Sequence, residues 1–282
     1  MMRLAALAFA LLAGGAVGGA GGALAQGPTW ALPGAQAHVE TRLDAPPGLE
    51  ATHPAWPVRA RLAAQTDRYS HDVLGGIPRW GRLEVEALPC GTCSASPQMA
   101  SITLPDTLVF EDTEPRLWDV TGDGRPEIVV VQSDVDRGAR LTVWDFPKEG
   151  ADLKLLAATP FIGTRFRWFS VQGTGDFDGD GRIEITYVDR PHLAQELVFL
   201  RYTPGKLTEV ARLRGVTNHR IGDAFISGGV RRCAGAAPEA ILASGDWKSV
   251  IAVRLNGKKP EFTRLGPLTG AQSLTRALRC PD

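Results

Sequence analysis

Asp176, Asp178 and Asp180 stand at alternate positions in GTGDFDGDGRIEI, residues 173–185, followed by Gly181 and by Glu184 at the head of an apolar run. Carboxylates this close repel one another, and water or a bound cation has to offset the repulsion. A set made only of oxygen donors suits a hard ion. Ca²⁺ takes roughly six to eight oxygens in flexible geometry, whereas Mg²⁺ demands a near-octahedral shell and fits such a loop less well. Gly181 supplies the positive φ that so sharp a turn requires. The opening resembles an EF-hand loop, but the closing acid comes too early and leads into a strand, so an EF-hand is excluded. The expected ligands are Asp176, Asp178, Asp180 and Glu184. The alternative is a metal-free hairpin rich in Asx turns.

A weaker copy precedes it. Asp119, Asp123 and Glu127 keep the first, fifth and ninth positions of the pattern, and Thr121 replaces the middle carboxylate. The lost charge predicts lower affinity.

These loops need strands to hold them. Apolar alternation dominates the chain, in runs such as PEIVVVQ, RLTVWDF, IEITYV, ELVFLRY and SVIAVRL separated by Gly, Pro, Asp or Lys turns. That pattern predicts an antiparallel all-β domain. GRLEVEAL, GRPEIVVV, GRIEITYV and AAPEAILA align, placing Glu84, Glu127, Glu184 and Glu239 in register at intervals of 43, 57 and 55 residues. Four antiparallel strands recurring at about 40–55 residues predict the blades of a small β-propeller. The repeats are expected at about 69–112, 113–163, 164–216 and 217–266. The ends, 37–65 and 273–280, are expected to form a fifth blade, with SLTRALRC as its inner strand; a four-bladed ring with stray ends is the runner-up. The acids are missing from the equivalent loops of the first and fourth repeats, which are expected to be metal-free.

Residues 1–25 read as a secretory signal peptide: Arg3, a long Gly/Ala-rich apolar stretch, and the small-x-small site Ala23-Leu24-Ala25. Such a glycine-rich run is a poor membrane-spanning helix, and residues 26–282 are expected to be one exported propeller domain without membrane insertion, periplasmic or extracellular. Four cysteines in an exported chain suggest two disulfides. Cys90 and Cys93 lie in PCGTCSASP with no helix pattern after them and no histidine at ligand spacing, which argues for a small structural loop over redox or zinc chemistry. Cys233 and Cys280 are expected at neighbouring inner-strand ends, stapling the closure. The 31 Lys and Arg balance 31 Asp and Glu, which leaves no electrostatic case for nucleic acid.

The D-x-D-x-D-G-x-x-E loop between two strands, repeated at blade spacing, resembles the FG-GAP/VCBS repeats of integrin-type propellers and of many secreted bacterial proteins. The resemblance implies a structural Ca²⁺ site at Asp176, Asp178, Asp180 and Glu184, and less closely at Asp119, Asp123 and Glu127. Glu stands where the family usually has a final Asp, and the chain is too short for the family's usual seven blades. Members of the family serve as adhesion, lectin-like and accessory modules, so the resemblance fixes no single function.

Catalytic machinery is not legible. His71 and His219 recur before inner strands and read as strand-entry caps, while His38, His53 and His192 have no partners at readable spacing. Ser70, Ser170 and Ser227 lack a nucleophile-elbow context. Of the tryptophans, Trp118, Trp144 and Trp168 read as core, while Trp80 and Trp247 sit in or next to loops where an indole can stack on a sugar or peptide. The expectation is therefore a Ca²⁺-stabilised, non-catalytic module for a protein or glycan. A hydrolase or lyase whose channel mouth is lined by Arg116, Arg167 and Arg220 is one alternative, and a purely structural envelope protein another.

Overall fold

The computed structural model describes residues 50–53, 56, 58–88, 97–146 and 152–281. The signal peptide, the strand expected at 37–43, His38, and the Cys90–Cys93 disulfide fall outside these.

The chain is all-β, in antiparallel sheets. The first sheet holds β1 (Glu50–Thr52), β2 (Val58–Thr66), β3 (Arg79–Ala87), β4 (Gln98–Thr103), β5 (Leu108–Phe110), β6 (Arg116–Trp118), β7 (Glu127–Asp134), β8 (Gly138–Asp145) and β9 (Lys154–Ala158). Its order is β1-β2-β3-β5-β7-β8-β9, with β4 beside β3 and β6 beside β7. The second sheet is a simple meander of β10 (Phe169–Gly175), β11 (Glu184–Asp189), β12 (Glu196–Thr203) and β13 (Lys206–Arg214). The third contains β14 (Val216–Thr217), β15 (Gly229–Arg231), β16 (Glu239–Ser244), β17 (Ser249–Asn256) and β18 (Lys259–Pro267), and helix α1 (Ala271–Ala277) follows it.

Side-chain alternation explains why the central strands read as unbroken apolar runs. Successive residues of a strand point to opposite faces, and here both faces are covered. Val129 and Val131 of β7 join one cluster with Val171, Ile185 and Tyr187 of the second sheet. Ile128 and Val130, their immediate neighbours, join another with Ala60, Leu62, Leu83 and Val85 of β2 and β3. The pattern repeats one sheet further on, where Leu197 and Phe199 of β12 pack against Ala240 and Leu242 of β16. The sheets are thus stacked face to face, each sharing a core with the next. At roughly 1.5–3 kcal/mol for each large apolar side chain fully buried, these interlayer cores supply the main driving force.

Three of the four aligned glutamates hold equivalent places. Glu127, Glu184 and Glu239 each open the second strand of a meander, paired with Trp118, Gly175 and Arg231 at the end of the strand before. Glu84 differs: it lies in the middle of β3, opposite Arg61 of β2, whose Nε donates to it at 2.7 Å. Leu83, Val85 and Ala87 face the core, so Glu84 and Glu86 take the outer face and form cross-strand ion pairs with Arg61 and Arg59.

The fifth blade expected from the two ends is not formed among the described residues. β2 pairs with β3 instead. Residues 273–277 of the expected inner strand lie in helix α1, because Leu274, Ala277 and Leu278 fall at i, i+3 and i+4 and together cover Ile241, Val250 and Ala252 on the outer face of the third sheet. IGDAFIS, residues 221–227, alternates in sequence as a strand would but forms a turn segment, and the short strand begins only at Gly229. Cys233 and Cys280 are bonded as expected, with their Cα atoms 5.5 Å apart. The bond ties the segment after α1 to the segment after β15.

Inner loops of the successive layers also meet. The N–H of Gly222 donates to the carbonyl of Val73, the N–H of Phe166 to the Tyr69 hydroxyl, and the Trp168 indole to the Glu111 carbonyl. The first of these bonds joins early and late parts of the described chain, and the other two tie its early part to its middle.

Candidate metal centre

The loop between β10 and β11 is built by its own backbone. Gly181 N–H donates to Asp176 Oδ2 at 3.0 Å, Arg182 N–H to Asp180 Oδ1 at 3.0 Å, and Phe177 N–H to Glu184 Oε2 at 3.0 Å. Gly181 takes φ 84°, in the left-handed region where a Cβ is strained. Phe177, between two of the acids, is fully buried and meets Phe199 edge-on at 5.1 Å, which pins the loop to the core.

The loop between β6 and β7 repeats this design 57 residues earlier. Gly124 N–H donates to Asp119 Oδ2 at 2.9 Å, Arg125 N–H to Asp123 Oδ1 at 2.9 Å, and Val120 N–H to Glu127 Oε2 at 2.8 Å. Gly124 takes φ 85°. Val120 fills the place of Phe177 and is buried.

Asp176, Asp178 and Glu184 each bring an oxygen to within 4.8 Å of the others, as do Asp119, Asp123 and Glu127. The remaining oxygens separate the two loops. In the earlier loop Asp119 Oδ1 accepts from Gly122 N–H at 2.7 Å, so both of its oxygens are satisfied. The equivalent Asp176 Oδ1 is buried and has no hydrogen-bond partner. A buried acceptor without a donor is costly, and a hard cation is the partner that a carboxylate oxygen among carboxylates accepts best. The donor set fits Ca²⁺, all of it oxygen on a glycine-hinged loop.

The sequence reading missed Arg201. It lies directly opposite Glu184 in the β11–β12 register. Its guanidinium bonds Asp178 Oδ2 at 2.8 Å, Asp180 Oδ2 at 2.9 Å and Glu184 Oε1. Burial works against the charge on Arg201, but the bonds to Glu184 and Asp178 outweigh it and raise its pKa. For Asp180 burial acts upward, but the Arg182 N–H and the Arg201 charge more than compensate and hold its pKa below the usual value. Arg182 also meets Asp180, at 3.5 Å, and two guanidiniums among four carboxylates still leave an acidic loop. On β8, Asp145 follows Trp144, the partner of Ile128, and shares a cleft with Glu127, so an acid stands near the earlier loop where the later one has an arginine; Glu127 is pushed up to about 7, chiefly by burial. Asp123, Glu127 and Asp145 line a cleft of about 550 Å³ that runs to Arg182 and Tyr202 of the later loop's layer.

A second cavity, of about 330 Å³, lies where the inner loops meet. His71, Arg167, Trp168, Arg190 and His192 line it. His71 Nδ1 donates to the fully buried Glu111 at 2.8 Å, and Ser133 Oγ donates to the other Glu111 oxygen at 2.5 Å. His219 Nε2 meets the carbonyl of Asp223 at 2.9 Å, and a carbonyl only accepts, so that nitrogen carries the proton. Burial lowers the His219 pKa to about 4, leaving the ring neutral with Nδ1 as acceptor for His192 Nε2–H at 3.0 Å.

The other flagged residues divide. Arg116 is buried against Asp112 at 2.6 Å and reaches no opening. Arg220 lies over the Trp247 ring at 4.0 Å. Trp80 is in the core, as are Trp118, Trp144 and Trp168. No helix among the described residues is long and apolar enough to cross a membrane.

A family model described as "FG-GAP-like repeat" matches residues 119–187, an interval that contains both acidic loops. No curated protein matches the chain.

Proposed function

Residues 119–187 being an FG-GAP-like repeat, we propose that the chain is an exported, propeller-type binding module whose later acidic loop is stabilised by Ca²⁺. The observation that carries the metal is Asp176 Oδ1, buried and without a donor inside a cluster of oxygens. Asp176, Asp178 and Asp180 would hold the ion. Glu184, with one oxygen accepting from Phe177 N–H and the other from Arg201, would fix the loop's geometry around it. A bound ion would neutralise the aspartates and lock the β10–β11 turn; it has no part in chemistry. The loop at Asp119, Asp123 and Glu127 would bind more weakly, since its backbone already satisfies both Asp119 oxygens.

The face-to-face stacking of four-stranded meanders with equivalent Glu127, Glu184 and Glu239 supports a propeller-like arrangement, in which α1 covers the last sheet where a further blade would otherwise sit. The Cys233–Cys280 bond supports an oxidising compartment, periplasmic or extracellular. The ligand on this reading is a protein or glycan, bound without turnover.

Isothermal titration of the protein with Ca²⁺ tests the metal. The expected result is one tighter site, lost in Asp178→Ala, with at most one weaker site remaining. Absence of binding heat in chelator-treated protein would remove the claim.

A further inference from the structure

We propose that the cavity bounded by His71, Arg167, Trp168 and Leu193 binds a small amphipathic monoanion, a carboxylate on an apolar or aromatic body. The site is independent of the acidic loops and shares no residue with them.

Its polar end is defined by charges that the fold leaves unspent. Arg167 donates to the Phe166 carbonyl at 2.8 Å and makes no ion pair with any acid among the described residues. Arg190, beside it, is already neutralised by a bidentate pair with Asp189 at 2.8 and 2.9 Å. His71 is held by Glu111 through Nδ1–H, so its Nε2 is left as a hydrogen-bond acceptor and adds no cation to the site. A buried carboxylate that orients an imidazole fixes both its tautomer and its direction. The lining therefore offers one uncompensated cation, the Arg167 guanidinium, which matches a single negative charge. Arg165, over the Phe166 ring at 4.3 Å, is not among the lining residues, so a dianion would lack a second free cation within the cavity.

Its other end is apolar. Trp168, Phe166 and Val73 line the cavity together with Leu193 and Ile221, which are 64% and 68% exposed. These last two are among the few large apolar side chains that the described chain leaves in water, and they face one opening. A cavity of about 330 Å³ falls at the lower end of the range for small-molecule sites.

The rim is also held in place. Phe166 and Arg190 take φ 57° and 42°, left-handed conformations that side-chain-bearing residues adopt at a cost. Both are held by hydrogen bonds: Phe166 through its N–H to the Tyr69 hydroxyl at 2.7 Å and its carbonyl from Arg167, and Arg190 through its N–H to the Trp168 carbonyl and its own carbonyl from the Leu193 and Ala194 N–H groups. Strain retained on both sides of one cavity is the mark of a site set before its ligand arrives.

The test uses benzoate, with benzyl alcohol as its neutral counterpart and phenyl phosphate as the dianion, in buffer containing chelator. Binding is followed by the shift of the Trp168 indole N–H resonance. Benzoate is expected to saturate with a Kd of about 1 mM or below, and both benzyl alcohol and phenyl phosphate to bind at least about tenfold more weakly. Arg167→Met should weaken benzoate by at least about tenfold, and Arg167→Lys, which keeps the charge, by less. Asp178→Ala should bind benzoate as the wild type does, which separates this site from the metal loop. Equal binding of benzoate and benzyl alcohol by the wild type overturns the proposal without recourse to any variant. So does an unmoved Trp168 resonance, or an Arg167→Met protein that folds and binds benzoate normally.

Discussion

Arg201→Met isolates the balance of charge in the later acidic loop. The guanidinium bridges Asp178, Asp180 and Glu184, and its side chain is only 9% exposed. Glu184 is fully buried. Removing one partner of a buried ion pair leaves the other uncompensated, at about 3–5 kcal/mol. For a chain of this size each kcal/mol moves the melting temperature by about 2–4 °C, so the variant should melt about 6–20 °C below the wild type in chelator. A divalent ion among the aspartates would replace much of the lost positive charge. At a concentration about 100 times its Kd, binding to the folded state alone contributes about 2.7 kcal/mol. Ca²⁺ should therefore raise the melting temperature of the variant more than that of the wild type, in which Arg201 and the ion compete for the same oxygens. Differential scanning calorimetry of both proteins, with chelator and with excess Ca²⁺, gives the four values needed. A variant that melts within about 2 °C of the wild type in chelator would show that the guanidinium holds nothing in place. A loss that Ca²⁺ does not relieve would show that the loop is closed by arginine alone.

Other consequences can be measured on the same material. His219 is held neutral by burial, with a pKa of about 4 against 6.5 in the unfolded chain. The unfolded state therefore binds the extra proton first, and stability present above pH 6.5 is lost as the pH falls toward 4. Comparing urea unfolding at pH 7 and 4.5, His219→Gln should show a loss smaller by about 2 kcal/mol than the wild type; an unchanged difference would mean that the ring is not desolvated. Cys280→Ser opens a bond spanning 47 residues, and about 2–4 kcal/mol should go with it. Wild-type protein in reductant should then melt with the variant, whereas identical melting of the oxidised and reduced wild type would rule out a stabilising staple. Phe177→Ala removes a ring enclosed between the later loop and Phe199, for about 3–5 kcal/mol, and a loss below about 1 kcal/mol would contradict its place in the core.

What could be read from the residues alone was local. The spacing of Asp176, Gly181 and Glu184 defines one loop, and the same spacing around Asp119 defines its copy, because each loop is closed by bonds within nine consecutive residues. The aligned glutamates were informative wherever a short turn-rich loop feeds a strand. They misled at Glu84, where nine alternating residues form one long strand and the glutamate merely faces outward. Residues 273–280 misled for a related reason: in so short a run, i, i+2 alternation and i, i+3, i+4 spacing share the same leucines. Arg201 was legible in principle, as one cation in the apolar run ELVFLRY, but only the strand register sets it against Glu184. Of the cavity only Arg167 was legible, expected at a channel mouth beside Arg116 and Arg220, of which Arg116 is instead buried on Asp112. His71, Glu111, Arg167, His192 and Ile221 come from five separate segments, and His71 read as a strand cap because its partner lies 40 residues away.

The glutamates themselves suggest how such loops diverge. Glu127 and Glu184 both reach back to accept the N–H that follows the first aspartate, and Glu239, whose loop has lost its acids, accepts from the Arg231 guanidinium instead. In all three the carboxylate joins the start of the second strand to the end of the first. The glutamate is therefore a structural clasp that works with or without an ion, and the aspartates are the variable part. Where they are absent an arginine satisfies the clasp, as Arg231 does. Where two remain, the backbone absorbs their oxygens, as around Asp119. Only with all three present is an oxygen, Asp176 Oδ1, left over. A longer closing acid also has the reach to meet both an N–H of the loop and Arg201 across the hairpin, which a shorter aspartate would not. The substitution of Glu for the family's usual Asp is thus bound up with the arginine facing it, and Glu184→Asp should weaken the Arg201 contact before it alters any metal.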